Sequence, residues 1–246
     1  MTGHPGMSSA ARAEIVVLDD PAGELAKRLT AAAGAGRHMV LTGGSTPRVA
    51  YEKAAALPAD WSRATFWWGD ERCVPPDHEQ SNYAMAKRAL LDRIEGTPPA
   101  VHRMRGELGP EEGAADYERE LRDAFGDGLP RLDFLLLGLG PDAHCASLFP
   151  GHPALGERER AVVGVETPGM APFVPRITLT LPVLNRARET VFLVAGQDKA
   201  AAVARAFSGP PTPDAPASLI EPEDGSLVVL LDPAAASQLD AGREPR

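Results

Sequence analysis

The sequence predicts an α/β fold built on a mainly parallel, helix-covered sheet. Three observations lead there. Short apolar runs alternate with amphipathic stretches along most of the chain, the pattern of strand–helix units. Glycine and proline punctuate the ends of the apolar runs. The most apolar of these runs, Leu132 to Leu137, passes into GLGPDAHCASLFPG, spanning Gly138 to Gly151. A loop dense in Gly, Asp, His and Ser after a buried strand lies where an open α/β sheet places its ligand.

The elements follow in order. Glu14 to Leu18 (EIVVL) predicts a strand, and Pro21 to Gly34 a helix with Leu25, Ala26 and Leu29 on its apolar face. Arg37 to Leu41 is a second strand, and a helix runs from about Pro47 to Leu57, with Thr46 before its proline as start signal. Ala64 to Trp68 is a third strand, ended by Gly69 and followed by Asp70-Glu71-Arg72. Ser81 opens a helix to about Ile94, Val101 to Met104 is a short strand, and Pro110 to Phe125 is a charged amphipathic helix. After the central strand come three more, Ala161 to Glu166, Arg176 to Leu181 and Glu189 to Ala195. A helix over Gln197 to Phe207, a strand over Ser226 to Leu231 and a short helical tail complete the chain. No internal repeat or linker stands out, so residues 14–246 are expected to form one domain, with residues 1–13 a flexible tail.

Composition narrows the function. Of 246 residues, 43% are hydrophobic and 24% charged, enough for a full core. The net charge of -9 argues against a general nucleic-acid or acidic-membrane binder, though a few focused cations can still hold an anion. The 2 cysteines, Cys73 and Cys145, have no metal or redox spacing, and a cytoplasmic setting is the simplest expectation. No apolar run reaches the roughly 18 residues of a membrane span, and the first 13 residues lack a signal-peptide core. The proline-rich stretch Gly209 to Pro216 (GPPTPDAP) is read as a loop.

Four stretches carry chemistry. In Gly43-Gly44-Ser45-Thr46-Pro47 a strand passes through two glycines into a helix start. Glycines let backbone N–H groups approach an anion, the helix end favours negative charge, and the hydroxyls add donors. The alternative is a plain turn capped by Thr46. In Gly69-Asp70-Glu71-Arg72, Asp70 or Arg72 faces the same cleft, or the segment is a solvated turn. In Asp142-Ala143-His144, His144 can take a proton from water and return it to a leaving oxygen, with Asp142 near enough to orient it. A metal reading would have to draft His152 or Asp70, and the spacing matches no standard site. A serine-hydrolase reading lacks the G-x-S-x-G elbow. Arg176 and Lys199 are surface cations, or, if the ligand carries a phosphate, its charge-assisted partners.

Together the motifs LTGGSTP, WWGDERCVPPDHEQSNY, LLLGLGPDAHCASLFPG, RITLTLP and GQDKA resemble, in order, those of the glucosamine-6-phosphate isomerase/6-phosphogluconolactonase family, and of its lactonases in particular. They span about Leu41 to Ala200. The resemblance implies a three-layer α/β sandwich with a Rossmann-like sheet and helices on both faces. It implies hydrolysis of 6-phospho-D-glucono-1,5-lactone to 6-phosphogluconate in the oxidative pentose phosphate pathway. His144 resembles the general base acting on water, and Asp142 accompanies it. Arg72 resembles a pocket arginine that holds the substrate. Gly43, Gly44 and Ser45 resemble the sugar-phosphate loop, Arg176 and Lys199 its cations, and Asp70 a residue lining the cleft. No cofactor or metal is expected. The expected partner is the sugar-phosphate lactone alone, with no nucleic acid or membrane and a monomeric or weakly dimeric chain. Two departures fall in the central loop, where the pattern reads G-x-D-G-H-T-A-S: Ala143 replaces Gly and Cys145 replaces Thr. If that glycine position needs a positive φ, Ala143 is strained by roughly 1 kcal/mol. The alternatives are an amino-sugar-phosphate deaminase/isomerase, disfavoured because Ala146 to Pro150 lacks that branch's acidic residue, and an inactive sugar-phosphate-binding homologue.

Overall fold

The computed structural model describes residues 13–239. Most of the expected N-terminal tail and the last residues of the expected domain lie outside the described residues.

Among the described residues, seven parallel strands form the main sheet. They are β1 (Glu14–Val17), β2 (His38–Leu41), β3 (Thr65–Trp68), β5 (Ala100–Val101), β6 (Phe134–Leu137), β9 (Glu189–Val194) and β10 (Ser226–Leu231), in the spatial order β1-β10-β9-β6-β2-β3-β5. The central strands are apolar on both faces: Phe134, Leu135, Leu136 and Leu137 of β6 are all fully buried. Continuous apolar runs of this kind are what a sheet covered on both sides requires.

The chain order explains the layers. From β1 the chain steps to β2, β3 and β5, always toward one edge, through helices α1 (Pro21–Gly34), α2 (Ser45–Ala55) and α3 (Asn82–Ala89). From β5 it returns to β6 through α4 (Pro110–Phe125), then moves on to β9 and, through α6 (Ala200–Phe207), to β10. Right-handed crossovers in opposite directions put helices on opposite faces. The direction reverses between the neighbours β2 and β6, so the connections leaving their carboxyl ends diverge and open a crevice there.

The helix bounds expected for Pro21–Gly34 and Pro110–Phe125 hold. Asp20 accepts from the Gly23 amide at 3.0 Å to start α1, and Ser81 accepts from the Ala84 amide at 3.0 Å to start α3. Other expectations need correction. Helix α2 begins at Ser45, after Gly44 with φ 115°, so Thr46 lies inside the helix and caps nothing. The helix after Ser81 ends at Ala89, with a 3-10 turn over Leu91–Arg93. The strand expected over Val101 to Met104 is reduced to Ala100–Val101. The helical tail is a series of turns: Asp232 takes the amides of Ala235 (2.7 Å) and Gly196 (3.1 Å), a side-chain bond that competes with helix formation.

A second sheet was not foreseen. Strands β4 (Asp70–Arg72), β8 (Arg176–Leu179) and β7 (Val162–Val165) pair antiparallel in the order β4-β8-β7, and α4 packs on β7 and β8. The segment after Gly69, for which a solvated turn is one of the two sequence readings, is therefore a strand, and it carries Arg72 opposite Arg176. Helix α5 (Leu181–Leu184) takes the end of the run expected to be strand to Leu181.

Candidate active site

Four adjacent strand ends, those of β9, β6, β2 and β3, converge on one cleft of about 250 Å³. It is lined by Gly43, Gly44, Ser45, Asp70, Arg72, His144, Arg176 and Lys199, so the cleft gathers every expected site residue except Asp142. Asp142 stands behind His144.

At the end of β2, Tyr51 of α2 fixes the chain before it enters the loop. Its hydroxyl accepts from the Thr42 amide at 3.0 Å and donates to the Thr42 carbonyl at 2.9 Å. Complete burial pushes this phenol's pKa up, so it stays protonated and keeps the donated bond. The loop then bends over Asn82: a Cβ on Gly43 would stand 1.9 Å from Asn82 Oδ1, so any other residue here would displace the Asn82 side chain. The first turn of α2 has no side-chain cap and opens on the cleft. Its amide groups and partial positive charge are what an anion binds.

At β4 the alternation of a strand settles which charges face the cleft. Asp70 and Arg72 share one side and line it, while Glu71 points the other way. The Glu71 carboxylate accepts from the amides of Arg72 (2.6 Å), Asn82 (2.7 Å) and Tyr83 (2.8 Å) and from the Ser81 hydroxyl (3.0 Å). It therefore caps α3 rather than meeting a ligand. Its burial pushes the carboxyl pKa up despite those bonds.

Arg72 and Arg176 face each other directly across the antiparallel pair. Like charges so placed repel unless an anion or a counter-charge lies with them. Asp70 supplies part of that, 3.9 Å from Arg176 Nη1. Burial draws the Arg176 pKa down, Asp70 pushes it back, and Arg72 adds to the fall. Arg176 is held by the carbonyls of Met170 (3.4 Å) and Pro172 (3.1 Å), and Arg72 by that of Gln80 (2.8 Å). The Nε atoms of both arginines are buried with no hydrogen-bond partner among the described residues. Across the cleft, Lys199 donates to the Leu139 carbonyl at 3.1 Å.

At β6 the loop presents His144. Its Nδ1 lies 2.5 Å from Asp142 Oδ1, and its own amide donates to the same oxygen at 3.2 Å. With Asp142 accepting the Nδ1 proton, Nε2 keeps its lone pair for the cleft. Burial pushes the Asp142 carboxyl up, but the hydrogen bond and charge of His144 outweigh it and the net shift is down. Gly140 makes the pair possible, since a Cβ there would stand 2.0 Å from His144 Nδ1. Phe149 packs its ring 4.5 Å from the imidazole.

Ala143 does sit at positive φ, 66°, and Ala146 at 48°. Each carries roughly 1–2 kcal/mol of strain relative to glycine. Cys145 is 1% exposed and does not line the cleft. Burial pushes its thiol pKa up, with Asp70 adding to the shift, which disfavours the thiolate form that a nucleophile uses. The sequence reading missed Asn82 and Met170, which line the cleft. Asn82 was hidden as a first helical residue, and its role appears only through its contact with Gly43. Among the described residues, no group of three or more His, Cys, Asp or Glu side chains is placed to hold a metal ion. No helix among them is long and apolar enough to cross a membrane.

Known proteins share both sequence and architecture with this chain. The family model described as glucosamine-6-phosphate isomerases/6-phosphogluconolactonase matches residues 15–229. A 6-phosphogluconolactonase of Streptomyces coelicolor is 44% identical over 220 residues, 84% of each chain. One of Homo sapiens is 43% identical over 206 residues, 81% of this chain and 79% of that one. The solved structure of a 6-phosphogluconolactonase from Trypanosoma cruzi superposes with a TM-score of 0.80 at 29% identity, covering 97% of this chain and all of that one. Cleft, topology and sequence agree: the chain belongs to the glucosamine-6-phosphate isomerase/6-phosphogluconolactonase family.

Proposed function

We propose that the cleft hydrolyses 6-phospho-D-glucono-1,5-lactone to 6-phospho-D-gluconate, with His144 as general base. The activity is that of the relatives. The observation that carries the residue assignment is the 2.5 Å contact between Asp142 and His144 Nδ1, in a cleft also lined by the Gly43–Ser45 loop, Arg72, Arg176 and Lys199.

The phosphate occupies the first turn of α2, where the loop amides and the Ser45 hydroxyl donate to it, and Arg176 and Lys199 supply the charge-assisted bonds. That anchor places C1 of the lactone near His144. The imidazole Nε2 takes a proton from a water molecule as the water oxygen bonds to C1. The carbonyl electrons move onto oxygen, and the oxyanion is stabilised by the Arg72 guanidinium or loop amides. As the carbonyl re-forms, the bond from C1 to the ring oxygen breaks, and that oxygen takes the proton from His144. The product acid then ionises at neutral pH. Asp142 stays a carboxylate throughout and holds the imidazole in one tautomer and orientation. A δ-lactone is an activated ester, so one positioned base suffices without a covalent intermediate.

The same reading places the enzyme in the cytoplasm, in the oxidative pentose phosphate pathway, as a monomer or weak homodimer. The deaminase alternative needs an acidic residue in the loop after His144, where this chain has Leu148 and Phe149, both buried.

The test is to generate the lactone in situ with glucose-6-phosphate dehydrogenase and follow 6-phosphogluconate. The expected result is strong acceleration over spontaneous opening, with glucono-1,5-lactone lacking the phosphate a far poorer substrate. A rate equal to the spontaneous one would refute the proposal.

A further inference from the structure

Two features of the His144 loop are left unexplained by the reaction. One is its pair of left-handed alanines, Ala143 and Ala146, one on each side of the base. Such residues persist only where their surroundings over-determine them. The other is Ser147, fully buried yet within three residues of the base.

Ala143 and the residue after Ala146 are both tied down by bonds from elsewhere in the fold. The Ala143 carbonyl accepts from the Ala217 amide at 2.9 Å, just past the proline-rich stretch. Beyond Ala146, the Ser147 hydroxyl donates to Asp70 Oδ2 at 2.7 Å, and its amide donates to Thr178 Oγ1 at 3.2 Å. Asp70 is itself 5% exposed, and its other oxygen accepts from Asn82 Nδ2 at 3.0 Å. Asn82 Nδ2 also donates to the Asp70 carbonyl at 2.8 Å, while Asn82 Oδ1 lies against Gly43.

We propose that Ser147 and Asp70 form a latch that positions His144, and that Asp70 is a positioning residue rather than a substrate ligand. Both Asp70 oxygens are committed inside the protein. The carboxylate joins three strand ends: the loop that carries the base, the strand that carries Arg72, and, through Asn82, the loop proposed to hold phosphate. Releasing Ser147 frees Ala146 to leave its left-handed conformation. The His144 loop then loses one of its three outside anchors and the imidazole its fixed aim, while the groups proposed to hold phosphate stay in place. The latch rests on the reading of His144 as the base, so its test needs one readout that does not depend on activity.

The experiment compares wild type with Ser147→Ala. The first readout is kcat and KM for the lactone. The expected result is a fall in kcat of about tenfold or more with KM within about threefold, since positioning is felt in the transition state. The second readout is the proton NMR signal of the His144 Nδ1–H that bridges to Asp142, assigned by its loss in His144→Ala. It is expected to shift or broaden in Ser147→Ala. Should Ser147→Ala fail to fold, Ser147→Cys fills the same space with a weaker donor and is read in the same way. A raised KM with kcat unchanged would mean that the latch residues meet the substrate and would overturn the proposal. So would an unchanged His144 signal. If wild type itself shows no lactonase activity, the functional reading fails, while the NMR comparison still decides whether the latch holds His144.

Discussion

The loops after β2 and β6 sit side by side at the reversal point of the sheet, yet they are built on opposite principles. The β2 loop reaches its shape with glycines: Gly44 takes φ 115° without penalty, and Gly43 passes under Asn82. Its proposed ligands are mostly backbone amides at a helix start. The β6 loop places alanines where glycine is favoured and holds them with bonds to Ala217, Thr178 and Asp70. Its proposed function rests on one side chain, and its outside bonds come from distant parts of the chain. A binding loop can be local, because amides point wherever the backbone turns. A loop that aims a base needs outside anchors, because a rotation of one side chain moves the reacting nitrogen.

Separating chemistry from binding gives the largest expected effect. His144→Ala lowers kcat by about 10²–10⁴-fold, the usual contribution of a general base, while the cooperative thermal transition is retained. A near-normal turnover number in that variant would remove the base assignment. Asp142→Asn follows, with kcat reduced by roughly 10²-fold, because the amide can offer a donor where an acceptor is needed and favours the wrong tautomer. On the binding side, Lys199→Ala raises KM by about 10- to 100-fold, the loss of one charge-assisted hydrogen bond, and leaves kcat nearly unchanged. Steady-state kinetics that showed the reverse split would place the phosphate elsewhere.

The smaller predictions concern stability. The Asp142 carboxyl is shifted below its ordinary value of 3.8. A depressed folded pKa gives stability that is present above the unfolded value and is lost as pH falls through the folded one. The Asp142–His144 contact therefore supports the fold at neutral pH, and its carboxylate contribution disappears only below about pH 4, as the pH dependence of urea denaturation in wild type and Asp142→Asn can show. Smallest is the effect at Ala143. Ala143→Gly relieves strain of about 1 kcal/mol but forfeits a buried methyl worth about 0.8 kcal/mol, for a net change within about 1 kcal/mol. Ala26→Gly, in the interior of α1, has no strain to relieve and costs about 1–2 kcal/mol. Equal losses at the two positions would show that Ala143 is unstrained.

The same contrast decides what the sequence makes legible. The β2 loop is visible as GGSTP, because strand, glycines and helix start are consecutive. His144 is visible because it follows the most apolar strand, and Asp142 because it stands two residues away. The bounds of α1 and α4 are readable from proline starts and glycine stops. The second sheet is not, since its short charged strand Asp70–Arg72 acquires strand form from pairing with Arg176–Leu179, a hundred positions on. For the same reason the inward direction of Asp70 and Arg72 and the outward direction of Glu71 are hidden. Thr46 looks like a cap until Gly44 starts the helix two residues earlier. Asn82 and Ser147 carry no local signal, because their roles consist of contacts with Gly43, Asp70 and Thr178.

The central claim is that chemistry and phosphate holding are separate duties of neighbouring loops. The most direct test is calorimetric titration of 6-phosphogluconate into His144→Ala. The account predicts a Kd within about threefold of wild type, since the proposed anchors of the phosphate remain. A loss of affinity of tenfold or more, in a variant that keeps its fold, would contradict it.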